Sequence, residues 1–371
     1  MRLLGLALDA TADFHRGSSE KNAGLFAALD RRHELLGVLR PELPWGLRRW
    51  RQALAFHPRR SDWRVRFNGH PATFLARTRE AERQLMAWRG SFDLVVQLHT
   101  LHAPGLDPGA WPFALHTDNS YLLSERGWPE WAPLRGRLRR QRVELEGRVF
   151  RAARALFPRS EWLRRSLIED YGCDPARTVR VGGGANLALE DLGPRRWDGR
   201  VALFVGQEFE RKGGRILLAA WERVRRAVPG ARLRVVCADR APALPPGVEW
   251  LGPIRERGAL VRELLGASVF ALPSLFEPWG HAFLEAMGCG LPCVASTACA
   301  MPEIVREGAT GRLVPPGEAG PLAEVLVALL RDPDEAERLG RAAHAEVLAQ
   351  HRWDHVVARM DPWLEAAAAA P

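Results

Sequence analysis

The sequence predicts two α/β domains, each a parallel, doubly wound sheet flanked by helices. The chain has 371 residues, more than an ordinary domain holds and suited to two of roughly 150 to 200 residues. From residue 201 onward, short apolar runs alternate with helix-spaced segments, the pattern of strands joined by crossover helices. The first forty residues open in the same way. Residues 2 to 8 are an apolar run, 20 to 30 have helical spacing, and His33 to Leu39 returns to a strand.

The remaining elements follow in order. Pro41 to Arg66 is rich in Arg, Trp and Pro without a clear period, which fits a loop or a small helical insert. Its Trp45, Trp50 and Trp63 are expected to be partly buried against the domain. A charged helix is predicted near 72 to 88. SFDLVVQLHT (91 to 100) and WPFALHTDNS (111 to 120) each run from an apolar strand into small polar residues. In open α/β sheets ligands bind at such strand ends, so His99, His116, Thr117, Asp118 and Asn119 are candidates. An Arg-rich helix at 132 to 153 comes next, then a strand and a helix that Ser160 can cap. Gly and Pro cluster with charge at 182 to 200, the expected interdomain linker. Beyond it, strands are predicted at 201 to 206, 232 to 237, 248 to 251, 268 to 272 and 291 to 295. Helices are predicted at 213 to 227, 258 to 265, 281 to 287 and 319 to 330. The tail from His351 is helical and its alanine run reads as a frayed end.

Composition narrows the classes. A hydrophobic fraction of 47% with 26% charged residues is that of a globular protein with full-sized cores. No apolar run reaches the roughly 20 residues of a membrane helix, and MRLLGLALDA reads as a first strand without a cleavage site, so a cytoplasmic protein is expected. The five cysteines form no C-x-x-C pair and suggest neither a disulfide framework nor a zinc site. A net charge of +9 suits nucleic acid, an anionic membrane or a phosphorylated substrate. Basic residues and aromatics do not interleave as in a known nucleic-acid module, so a nucleic-acid partner is not expected.

Two segments carry chemistry. In ALPSLFEPWGHAFLEAMGCGLPCVAS (271 to 296) a strand ends at Pro273, a loop carries Glu277, Gly280 opens a helix, and Glu285 lies more than a turn inside it. The amides near Gly280, His281 and Ala282 can hold a phosphate, because a helix start offers free N–H groups and a positive dipole end. The two carboxylates can accept hydrogen bonds from sugar hydroxyls, although a loop Glu and an ordinary helix Glu account for the spacing equally well. In LFVGQEFERKGG (203 to 214) a strand ends at Gly206 and a helix follows Gly213, with Arg211 and Lys212 beside its start. Cations beside free amides form a pyrophosphate cradle.

These segments resemble the retaining glycosyltransferases of family 4, also known as glycosyl transferases group 1. The resemblance rests on Pro273, Ser274, Glu277, Gly280, Leu284, Glu285, Ala286, Gly290 and Pro292. It continues through Glu303, Ile304, Val305, Gly308, Thr310, Gly311 and the VPPG at 314 to 317, and it covers about residues 150 to 352. It implies the GT-B fold, two Rossmann-like domains facing each other across a cleft. Residues 1–190 would form the acceptor-side domain, with the helix 353–371 packed back on it, and 196–352 the donor-binding domain. It further implies a nucleoside-diphosphate sugar donor, UDP first among the bases, a sugar or lipid-linked acceptor, and neither cofactor nor essential metal. By the same resemblance Lys212 binds the donor phosphates, with Arg211 standing in for an arginine replaced here by Gln207. Glu277 orients the sugar, Glu285 holds the ribose, and backbone near Ile254 reads the base. His116 contacts the sugar, with His99 as the competing position. Gly17 is the nearest equivalent of a missing glycine pair and, with Asp118 and Asn119, marks the acceptor side. A basic first domain would suit contact with an anionic membrane at its inner face. The alternatives are a catalytically inactive nucleotide-sugar binder and another GT-B enzyme, such as a sugar-nucleotide epimerase.

Overall fold

The computed structural model of the chain describes residues 1–8, 23–187, 197 and 199–370, and Gly17 lies outside them. The chain divides into two compact units, Met1–Gly182 with Trp353–Pro371, and Gly183–Arg352.

In the first unit β1 (Arg2–Leu6), α1 (Ala23–Arg32) and β2 (Glu34–Leu39) are followed by three helices, α2 (Trp45–Leu54), α3 (Arg60–Gly69) and α4 (Pro71–Met86). Then come β3 (Leu94–Leu98), β4 (Phe113–Thr117), α5 (Tyr121–Gly127), α6 (Gly136–Ala152), β5 (Ala155–Pro158) and α7 (Glu161–Glu169). The five strands are parallel in the order β2-β1-β3-β4-β5. Side chains of a strand point alternately to its two faces, and the core shows it. Leu3, Leu94, Val96 and Ala114 enter one apolar cluster, whereas Leu4, Val95, Phe113 and Leu115 enter the other. Local signals set the helix starts: Ser120 and Ser160 accept from the Leu123 and Leu163 N–H groups at 3.2 and 3.1 Å.

The second unit contains β6 (Val201–Val205), α8 (Gly214–Ala227), β7 (Arg232–Val236), β8 (Val248–Gly252), α9 (Arg257–Leu265) and β9 (Val269–Leu272). It continues with α10 (His281–Gly288), β10 (Cys293–Ser296), β11 (Gly311–Val314), α11 (Ala319–Arg331) and α12 (Pro333–Gln350). Its strands are parallel in the order β11-β10-β9-β6-β7-β8. The strand order reverses between β6 and β9, which makes their carboxyl ends the crevice where such sheets bind ligands.

Two sequence expectations need correction. The tail is no frayed end: α13 (Trp353–Ala369) returns to the first unit and buries Trp353, Val356, Val357, Met360 and Leu364 against α1 and the sheet. Each such side chain contributes about 1.5–3 kcal/mol, enough to carry a helix through Pro362 and the N–H that proline removes. The Pro41 to Arg66 stretch is helical, and Trp45 and Trp50 are not buried but are 78% and 56% exposed. Trp63 is half-buried, donating from Nε1 to the Gln52 carbonyl at 2.7 Å. Strand β11 and helix α12 were also not expected, although Asp332 caps α12 by accepting from the Glu335 N–H at 2.9 Å, with Pro333 at its first position.

Candidate functional site

The β6/β9 crevice holds most of the residues singled out in the second half. After β6 the chain turns through Glu208 (φ 61°) and Gly213 (φ 75°) into α8. The first is a left-handed conformation at a non-glycine residue; the second admits only glycine, because a Cβ there would stand 2.0 Å from the Pro273 carbonyl oxygen. That close approach brings the loop after β6 against the loop after β9. The Leu275 N–H donates to the Arg211 carbonyl at 2.8 Å and joins them.

Charge is interlocked across this junction. Lys212 Nζ donates to Glu277 Oε2, and Arg211 Nη1 lies 3.7 Å from the same oxygen. Arg211 is 6% exposed, donating from Nη1 to the Phe276 carbonyl and from Nε to Glu208, each at 2.6 Å. It therefore braces the two loops from inside, where the sequence had placed it beside a phosphate. Lys212 drapes over Gly206, whose missing Cβ would stand 3.2 Å from Lys212 Cγ. Removing these charges from water costs several kcal/mol per ion and their attraction barely recovers it. What the cluster contributes is a cation and a carboxylate held at fixed positions.

At the next turn Gly280 caps α10, and a Cβ there would meet the Phe283 ring at 2.4 Å. His281 and Ala282 form the first turn of α10, where helical N–H groups lack partners within the helix and favour an anion. Glu285 lies one turn further in, 3.5 Å from Arg257 Nη2 at the start of α9. Ile254 is half-buried in the β8–α9 loop and packs on the core behind Gly252, which has φ 70°. Thus Gly206, Arg211, Lys212 and Glu277 are brought into contact, Glu285 is tied instead to Arg257, and Ile254 touches none of these side chains through a bond. Two supporting residues went unnoticed in the sequence. Glu208 braces Arg211, and Asp239, in the loop after β7, accepts from the Phe209 N–H at 2.6 Å and shapes the β6–α8 turn. An acidic residue two positions after a predicted strand was the available signal for Asp239.

In the first unit the candidate histidines differ. His116, at the end of β4, is 0% exposed. Its Nε2 lies 3.2 Å from the Gly182 carbonyl and must carry the proton to donate. Its Nδ1 has no hydrogen-bond partner, and the Trp353 ring packs edge-on at 6.1 Å. Burial, followed by the nearby Arg159 charge, holds the ring well below the usual histidine range and so neutral. His99 is partly exposed at the end of β3, with φ 57° and Nδ1 3.4 Å from Asp118. Asp118 also lies 3.4 Å from the buried Arg159. Asn119 turns toward α5, its amide donating to Ser124 Oγ at 2.7 Å.

Among the described residues no group of three or more His, Cys, Asp or Glu could hold a metal ion, and no helix is long and apolar enough to cross a membrane.

Two parallel sheets with helices between their strands place the chain among the doubly wound α/β proteins. Residues 199–332 match the family Glycosyl transferases group 1. Alpha-maltose-1-phosphate synthase of Mycobacterium tuberculosis is 35% identical over 205 residues, covering 50% of this chain and 51% of that protein. The chain thus spans about half the length of the first curated relatives it matches. Phosphatidyl-myo-inositol mannosyltransferase of Mycobacterium leprae is 29% identical over 291 residues, covering 73% and 72%. Among solved structures, sucrose-phosphate synthase from Thermosynechococcus elongatus is similar with a TM-score of 0.73 and 18% identity, covering 100% of both chains. Anabaena HepE, in complex with UDP and glucose, is similar with a TM-score of 0.65 and 16% identity over 99% of this chain and 100% of that one. These likenesses are of fold, and the fold is GT-B.

Proposed function

We propose that the protein is a retaining glycosyltransferase that moves a sugar from a nucleoside-diphosphate sugar to an acceptor hydroxyl. The observation that carries this reading is the Lys212–Glu277 pair fixed at the β6/β9 switch point beside the start of α10. In transfer, the bond from the anomeric carbon to the phosphate oxygen breaks and a bond to the acceptor oxygen forms, while the acceptor's proton passes to the departing diphosphate. Charge accumulates on the departing diphosphate. Lys212 and the α10 amides at Gly280, His281 and Ala282 stabilise it, as preorganised donors do best where charge develops. Arg211 acts behind Lys212 as a positioning residue. Glu277 accepts from sugar hydroxyls and Glu285 from the ribose, and backbone near Ile254 meets the base. The HepE structures with UDP, glucose or UDP-glucose favour a UDP-sugar as the first donor to test.

His116 supplies a further contact in this reading. With its Nε2 proton committed to Gly182, Nδ1 is the acceptor, and because the ring is 0% exposed the contact requires the packing around it to open. His99 is the second reading, favoured by its open face and its left-handed backbone. Separate Ala variants distinguish them by which loses turnover at saturating donor.

Calorimetry and thermal-shift measurements against UDP-, GDP- and ADP-sugars test the site, with Lys212→Ala and Glu285→Ala variants in parallel. One nucleotide should bind and lose affinity in both variants, and NMR of the glycoside should show the donor's anomeric configuration. Tight binding with no transfer to any acceptor would instead establish an inactive nucleotide-sugar binder. Because the cradle supplies the positive charge, transfer should persist in a metal chelator; its loss there, restored by a divalent cation, would overturn the metal-free mechanism.

A further inference from the structure

Helix α2 is amphipathic in the inverted sense. Its body-facing side is polar or small. Arg51 and Gln52 are half-buried, and Ala55 just beyond the helix packs on the small cluster of Leu43, Phe67 and Ala76. Its outward side is apolar: Leu47, Trp50 and Leu54 stand at helical spacing on one stripe, and Phe56 follows. Trp50, Leu54 and Phe56 are 56%, 67% and 65% exposed, and Trp45 at the helix start is 78% exposed. No residue of this helix is buried. The burial of apolar surface drives folding, so a helix that turns this stripe to water is poised to bury it elsewhere.

The charge around the stripe names the occupant. Arg48, Arg49, Arg59, Arg64 and Arg66 are exposed on α2, on α3 and in the turn between them, against Asp62 in that stretch and Glu42, which lies 3.8 Å from Arg48. Arg49 and Arg51 stack over Trp45 and Trp50, at 5.9 and 5.4 Å from the ring centroids. Aromatic and aliphatic side chains framed by arginines match the boundary between acyl chains and anionic headgroups. Leucines and a phenylalanine at the centre fit acyl chains better than the stacked bases of a nucleic acid.

We propose that the α2–α3 face of the first unit docks the protein on an anionic lipid surface, with Trp50, Leu54 and Phe56 entering the acyl boundary and the arginines engaging headgroups. This stands independently of the glycosyl-transfer reading, because its test requires no turnover. The full chain is sedimented at low salt with vesicles of phosphatidylcholine alone and of equal parts phosphatidylcholine and phosphatidylglycerol. Anionic vesicles should retain it more than about tenfold better, since each basic residue near such a surface contributes about 1 kcal/mol. Trp50→Ser with Leu54→Ser should abolish retention without changing circular dichroism or the melting temperature, and Arg49→Ser with Arg64→Ser should weaken it. Equal retention on both vesicle types, or double variants that bind as the unchanged chain does, overturns the proposal. So does a single-stranded oligonucleotide bound through the same residues with no vesicle binding, or a dimer in light scattering that Trp50→Ser with Leu54→Ser dissociates.

Discussion

At the β6/β9 crevice, strand ends deliver interlocked charges, Lys212 and Arg211 from one loop and Glu277 from the other. At the ends of β3 and β4 the corresponding positions hold a buried neutral histidine and a partly exposed histidine–aspartate pair. Both sheets are parallel and doubly wound, so the difference lies in the loops. The second unit spends glycines on close approach, as at Gly213 against Pro273, so that two loops of distinctive residue type meet although Lys212 and Glu277 are 65 residues apart. The first unit depends on distant residues. His116 is held by Gly182 and Trp353, and the core around it needs a helix that arrives only at the end of the chain. Loops that carry distinctive residue types are legible even when they meet across 65 residues of chain; burial set by packing, as at His116, is much less so.

This contrast can be broken most forcefully at Trp353. Its replacement by alanine should cost about 3–5 kcal/mol, as for large aromatic truncations in cores. If the units are supported separately, denaturant melts should show the transition of the first unit shifted and the second nearly unchanged. A uniform shift of both would mean that α13 stabilises more than the unit it packs on.

Next in size is Lys212→Ala. Loss of one preorganised donor to a developing charge typically costs about 100- to 1,000-fold in turnover, measured by steady-state release of the nucleoside diphosphate. Circular dichroism should stay unchanged, because Arg211 still braces the loops. A fall below tenfold would move the phosphate contact away from Lys212.

A smaller effect separates the units by pH. His116 and His102 are buried and held below the ordinary value of 6.5, His102 down to about 3, mainly by desolvation. Their folded forms decline a proton that the unfolded chain accepts, so their contribution is complete above pH 6.5 and is lost as pH falls. The slope is about 1.4 kcal/mol per pH unit for each histidine. Melting of the first unit between pH 7 and 5 should show it, and His102→Asn should flatten it. No change in slope would mean that the ring already takes up a proton in the folded state.

The smallest expected effect is at Leu54, where an exposed side chain replaced by serine should change stability by no more than about 0.5 kcal/mol. A larger loss in thermal melts would show that the outward stripe of α2 supports the fold itself.

Much of this architecture was legible in the sequence, for reasons that differ between elements. The strands of the second unit are short apolar runs bounded by glycine or proline, and burial on both faces leaves no other reading for them. Gly213 and Gly280 stood out because a turn and a helix start demand particular residue types, whereas Lys212 and Glu277 stood out through the resemblance to the family 4 glycosyltransferases. Arg211 was recognised as a cation, but its burial was not, since charge in a sequence carries no depth. For α2 the sequence showed tryptophan and arginine without a period that favoured exposure, and the stripe emerged only once Arg51 and Gln52 were seen to face the body.

By itself, then, the sequence determined the alternation of strands and helices and the two-unit organisation of the chain, and it marked the turns after β6 and β9, because each is written in local periodicity and in the backbone needs of glycine and proline. Only the tertiary structure decided which strand lies beside which, which side chains of α13 enter the first core, that His116 is neutral and enclosed while His99 stays open, and which way α2 faces. These follow from burial and from contacts between residues far apart in the chain, and desolvation depends on neighbours that no local stretch of sequence can name.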